Sequence, residues 1–147
     1  MKPEQLAQLP NSGGESISAA VLHECAHAVV ARMLDCPVEK IVVFGNVDDY
    51  GLGWTDAYCI ILTPNIPRKG RVALGPVAVG DRPSKDDLSV FCDDSYLFDA
   101  SYRWVSARRK EISEMAWKLY YELYPKLRRG NMRVIDPFDN PRFEAVT

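Results

Sequence analysis

The chain has 147 residues, 47% hydrophobic and 26% charged, a balance that suits one globular domain and leaves too little length for two. Lysine and arginine number 18 against 20 aspartate and glutamate, so the net charge of -2 offers no bulk attraction to nucleic acid or to an anionic membrane. Met1–Gly14 lacks the apolar stretch of a secretory signal, and no run approaches the ~18 apolar residues of a membrane span, which predicts a soluble, cytoplasmic protein without a membrane role.

Residues 1–15 are polar and punctuated by proline and glycine, so they are expected as an arm leading into a helix capped near Ser12 or Ser16. From Ser16 to Leu34 the residues Leu22, Ala26, Val29 and Met33 recur at helical spacing, and Pro37 bars continuation. Val38–Phe44 and Tyr58–Leu62 are rich in β-branched residues and read as strands of a small antiparallel sheet, joined through Asp48, Asp49, Gly51 and Gly53. A short apolar helix is expected over Arg68–Val79, interrupted by Gly75-Pro76 and ended by Gly80-Asp81-Arg82-Pro83. Ser84–Phe91 opens a third helix. Tyr102–Tyr124 forms the last long one, with Val105, Ile112, Met115, Ala116, Leu119 and Leu123 facing the core, and Pro125 ends or kinks it. The remainder, 131–147, reads as an extended C-terminal tail. The fold class expected is therefore α+β, mainly helical, with a small sheet and C-terminal helices. The cysteines at 25, 36, 59 and 92 show no CxxC pairing and sit beside apolar residues, as reduced, buried thiols would.

The only two histidines in the chain fall in His23-Glu24-Cys25-Ala26-His27, an HExxH motif in the middle of the first helix. Residues four apart on a helix lie about 40° apart around its axis, so both imidazoles project from one face and can share one metal ion. A catalytic zinc keeps three protein ligands and a water, and the glutamate between the histidines is placed to take a proton from that water. With no third histidine, the third ligand must be acidic. Asp86 and Asp87, Asp93 and Asp94, and Glu111 or Glu114 are the candidates, and spacing alone does not choose among them. Ser84-Lys85-Asp86-Asp87 also reads as a capping box, in which Asp87 serves the helix terminus. Arg108-Arg109-Lys110 is three adjacent bases pointing in different directions, a solvated helix face rather than a nucleic-acid contact.

The run His23-Glu24-Cys25-Ala26-His27-Ala28-Val29-Val30-Ala31 resembles the HEAGHAVVA signature of the FtsH-type peptidase domain, the protease half of membrane-anchored AAA proteases. Pro37-Val38-Glu39-Lys40-Ile41 is similar to that family's DPVEKI segment, Gly51-Leu52-Gly53-Trp54-Thr55 to its ALGYT, and Ala73-Leu74-Gly75 to the start of its LGGRAAEEL helix. Pro83-Ser84-Lys85-Asp86-Asp87-Leu88 is similar to its GASNDL segment, whose aspartate is the third zinc ligand. The resemblance, over about residues 16–92, implies a zinc peptidase-like domain at 16–130 with His23, His27 and Asp87 as ligands and Glu24 as general base.

Two departures accompany it. Val77-Ala78-Val79-Gly80 occupies the region of the family's acidic pair, so a carboxylate supporting the zinc ligands from behind is not expected. The chain also carries no GxxxxGK[ST] segment. The expected activity is thus an ATP-independent zinc metalloendopeptidase acting on flexible or unfolded protein segments, or on substrate delivered by a partner protein. The alternative is a non-catalytic, peptidase-like binding or regulatory module.

Overall fold

The computed structural model describes residues 16–47, 53–62 and 65–146. The N-terminal arm and Asp48, Asp49 and Gly51 of the strand connection lie outside the described residues.

Helix α1 (Ile17–Met33) begins where Ser16, in extended conformation, accepts a hydrogen bond from Ala19 N with its side chain. It is buried almost all round: every residue from His23 to Ala31 is inaccessible or nearly so. Four of its five alanines, at 20, 26, 28 and 31, are buried and explain this, because short side chains let neighbours approach on several sides where a one-sided stripe would admit only one. The helix consequently contacts α5 (Arg109–Leu127), the two strands that follow it in the chain and the 3₁₀ helix Gly75–Val79. Ser18 Oγ and Tyr120 Oη, 2.6 Å apart, tie α1 to α5.

The architecture is α+β and mainly helical, with a four-stranded antiparallel sheet in which the first strand in the chain lies between the second and the third, and the fourth lies beyond the third. Strands β1 (Val38–Val47) and β2 (Gly53–Ile61) form a long hairpin in which Ile41 lies opposite Cys59 and Val43 opposite Ala57. Ile41 and Val43 point into the core with Val134. Residues 132–145, expected as an extended tail, form β3 (Met132–Ile135) and β4 (Arg142–Ala145), and β3 pairs along β1 through Ile41 and Val134. The chain is extended there as expected, but its backbone groups are paired into the sheet. β3 packs on α5, and burial of Val134 compensates for ordering so short a strand.

The helices depart from expectation where backbone chemistry outweighs periodicity. Helix α2 (Ile66–Ala73), capped by Asn65, stops before Gly75-Pro76, and the chain tightens into the 3₁₀ helix because proline has no N–H to continue the α ladder. Helix α3 covers only Lys85–Ser89. The single long helix expected from Tyr102 is two: α4 (Ser95–Ala107), capped by Asp94, and α5, separated by a turn at Arg108. Helix α5 runs through Pro125 to Leu127, since Pro125 lies on the solvent side, where water can satisfy the carbonyl the ring leaves unbonded. All four cysteines are free. Cys25 and Cys36 are buried and Cys59 half-buried, but Cys92, expected to be buried, is exposed in a turn with φ of 44°.

Among the described residues no helix is long and apolar enough to cross a membrane.

Candidate metal centre

His23 and His27 project from one side of α1, one turn apart, with their Nε2 atoms 3.2 Å from each other. Asp87, 60 residues beyond His27, places Oδ2 at 3.1 Å from both Nε2 atoms. The capping box at the start of α3 and the histidine cluster use the same carboxylate. Ser84 Oγ accepts from Asp87 N at 3.0 Å, and Asp87 Oδ2 accepts from Ser84 N at 2.8 Å. The cap thereby fixes the rotamer that aims the carboxylate at α1, so the two readings of Asp87 from sequence describe one side chain. Asp86, its neighbour, is exposed, and Asp93, Asp94, Glu111 and Glu114 do not join the cluster.

Each imidazole is held from behind. His23 Nδ1 donates to Asp81 Oδ2 at 2.8 Å, and His27 Nδ1 donates to the Val72 carbonyl at 2.7 Å. A carbonyl can only accept, so His27 carries a proton on Nδ1, and its neutral form is the tautomer whose Nε2 lone pair is free for a metal; the Asp81 carboxylate imposes the same tautomer on neutral His23. This is the arrangement by which metal-ligating histidines are oriented and made more basic. The support carboxylate not expected from sequence is therefore supplied by Asp81, itself 4% exposed.

Gly80 delivers it. At the end of the 3₁₀ helix Gly80 takes φ of 75°, a left-handed conformation cheap for glycine, and Asp81 N bonds back to Pro76 O at 3.0 Å. The reversal directs Asp81 toward α1 rather than solvent. The only local hint was an acid directly after a helix-ending glycine, a pattern that reads as a stop signal and says nothing about what lies across the turn.

The electrostatics follow from burial and proximity. Desolvation lowers the His23 pKa, but the hydrogen bonds to Asp81 and Asp87 and the nearby Glu24 charge outweigh it and raise it from 6.5 to about 10. His27 is likewise desolvated and still raised, by Asp87 and Glu24. Burial pushes the Asp87 carboxyl up, and the two histidines more than reverse this, holding it well below the usual carboxylate range. Glu24, buried on α1, thus lies within electrostatic reach of both imidazoles, and it lines the same cavity as His27 and Asp87. Cys25 between them is fully buried in the core.

The donor set fits a zinc ion. Two ligands at the usual 2.0–2.1 Å from a tetrahedral centre are about 3.3 Å apart, and the two nitrogens and the carboxylate oxygen here are separated by 3.1 to 3.2 Å. Two neutral imidazole nitrogens with one carboxylate would leave the fourth position of a tetrahedral ion open.

No protein-family model matches the chain, and no curated protein matches it at a significant level.

Proposed function

We propose that this protein is a zinc-dependent endopeptidase, related to the FtsH-type peptidase domain, that hydrolyses peptide bonds in flexible or unfolded segments without ATP. The observation that carries the reading is the convergence of His23 Nε2, His27 Nε2 and the Asp87 carboxylate, each already oriented by a hydrogen bond behind it, beside a buried glutamate.

His23, His27 and Asp87 would hold the ion. When bound, zinc acts as a Lewis acid on the attacked carbonyl and makes the attacking water more acidic. The Glu24 carboxylate takes the proton that water loses and hands it to the nitrogen of the departing amine, so one group serves as base and then as acid. Asp81 and the Val72 carbonyl hold the imidazoles in one tautomer throughout. Strand β2 stands at the edge of the sheet and packs on α1, so an extended substrate can add to it as a further strand, gaining main-chain hydrogen bonds next to the cluster. These 147 residues carry no nucleotide-binding GxxxxGK[ST] segment, which restricts their own action to chains that are already unfolded or delivered by a partner.

The test is hydrolysis of an unfolded protein such as casein by the zinc-loaded chain and by Glu24→Gln. The variant should keep about one zinc per chain and lose ~10²- to 10⁴-fold in rate. Equal rates in the two proteins, or no zinc in the wild type after loading, would defeat the proposal.

A further inference from the structure

Helix α2 contributes Lys69, Val72 and Ala73 to a cavity of about 360 Å³ whose other walls include Glu24, His27 and Asp87. Residues three and four apart share one face of a helix. Lys69 therefore stands about 4.5 Å along the axis from Val72, whose carbonyl accepts the hydrogen bond from His27 Nδ1. Helix stability does not account for a lysine there. Arg68 and Lys69 fall in the first turn of α2, which holds no acidic residue, and a cation at that end opposes the helix dipole. Nor does a partner within the chain account for it, since Lys69 is exposed and makes no ion pair among the described residues.

The carboxylates of the cavity have other tasks. Asp87 accepts from Ser84 N and meets both histidines, and the Glu24 charge acts on the same two imidazoles. Asp86, which is exposed, lies in the first turn of α3, where the helix dipole favours an acid. Lys69 is the one lysine or arginine among the described residues that line the cavity.

We infer that Lys69 is a specificity-determining residue that binds a carboxylate of the substrate, an acidic side chain or a chain end, beside the histidine cluster. The inference rests on the reading of the cluster as a peptidase centre, and it names that centre's substrate class. A carboxylate that reaches α2 exchanges part of its hydration for a charge-assisted hydrogen bond from the ammonium. A neutral side chain of the same shape gains less, and a basic one is repelled. Asp86 opposes the same carboxylate from the α3 wall, which keeps the gain modest and confines it to the α2 side.

The experiment measures binding to zinc-loaded Glu24→Gln, which leaves the peptides uncut. Fluorescein-labelled alanine hexapeptides with an amidated C-terminus and Glu, Gln or Lys at one central position are titrated by fluorescence anisotropy at low salt. A fourth peptide, with Gln and a free C-terminus, tests the chain end as the source of the carboxylate. The Glu peptide or the free-ended peptide should bind about threefold tighter than the amidated Gln peptide, and whichever gains names the source. Lys69→Met should erase the gain, and Lys69→Glu should replace it with a preference for the Lys peptide. Lys110→Met changes the net charge equally at a side chain 90% exposed and outside the cavity, and should leave the gain intact. No gain for either carboxylate, a gain that survives Lys69→Met, or an equal loss in Lys110→Met overturns the inference. A gain that depends on Lys69, in a protein whose wild type cuts nothing, sustains the carboxylate site and sinks the peptidase reading alone. Casein cleavage by the wild type without any such gain does the reverse.

Discussion

Asp81 Oδ2 accepts a hydrogen bond from His23 Nδ1 at 2.8 Å across 58 residues of sequence, with both side chains buried. The bond sets the ring's tautomer and direction, so its loss should be felt at Nε2 on the far side of the ring. Asp81→Ala is expected to weaken zinc binding by about 10- to 100-fold. It also strands a buried N–H, at a cost of about 1–3 kcal/mol in the zinc-free protein. A chelator-competition titration reads the first effect and a thermal melt in EDTA the second. Unchanged zinc affinity would mean that His23 needs no support from Asp81.

Asp87 and Asp86 are adjacent, yet only Asp87 reaches the histidines. Asp87→Ala removes a ligand and half of the capping box, so zinc should be lost and stability should fall by about 1 kcal/mol even in the absence of metal. Asp86→Ala removes an exposed side chain and should change zinc affinity little and stability by less than about 0.5 kcal/mol. Elemental analysis of the two variants after gel filtration separates them. Similar zinc content in both would move the third ligand elsewhere.

The zinc-free cluster should titrate in a way that reveals itself. With His23 raised from 6.5 to about 10, its contribution to stability is fully present below pH 6.5 and is lost as pH rises through 10. Asp87 is depressed, so its contribution is present above its ordinary pKa of 3.8 and is lost as pH falls below that. The metal-free protein should therefore be most stable between about pH 4 and 6.5. Zinc needs the Nε2 lone pairs, so binding near pH 7 must expel protons and should tighten as pH rises. Calorimetry in two buffers of different ionisation enthalpy counts them. Zinc uptake without proton release would contradict the raised histidine.

How much of this was legible in the sequence depends on whether the determining contact is local. His23, Glu24 and His27 could be placed because a spacing of four fixes their shared face within a single helix. Asp87 could be singled out only by its similarity to a known segment; its reach across 64 residues to His23 is tertiary. Asp81 was hidden, because its role depends on the left-handed turn at Gly80 and on what that turn faces. The break between α4 and α5 at Arg108 has neither glycine nor proline to announce it, and both flanks favour helix. Strands β3 and β4 are four residues each, too short for alternation to register, and exist because β1 offers an edge to pair with.

Gly75 provides a test of how tightly the site helix is held. It opens the 3₁₀ helix, and a Cβ added there would lie 2.9 Å from the Ala26 carbonyl oxygen and 3.2 Å from Val30 Cγ2, both on α1. A backbone oxygen inside a helix cannot swing aside, so Gly75→Ala must push the 3₁₀ helix off α1, and Asp81 lies just past the end of that helix. Overpacking of this kind costs about 1–3 kcal/mol, and each kcal/mol lowers Tm by about 2–4 °C in a chain of this size. Zinc affinity should fall with it, since the Asp81 to His23 bond depends on the position of the displaced segment. Gly80→Ala is the contrast: nothing lies within 4 Å of its added Cβ, but φ of 75° strains any ordinary side chain. Gly80→Asn should then be milder than Gly80→Ala, because asparagine tolerates the left-handed region, whereas no polar substitute should relieve Gly75. Differential scanning fluorimetry of the three variants, with and without zinc, decides the matter. A Gly75→Ala protein that melts like the wild type would show that the contact between the 3₁₀ helix and α1 is looser than its geometry implies.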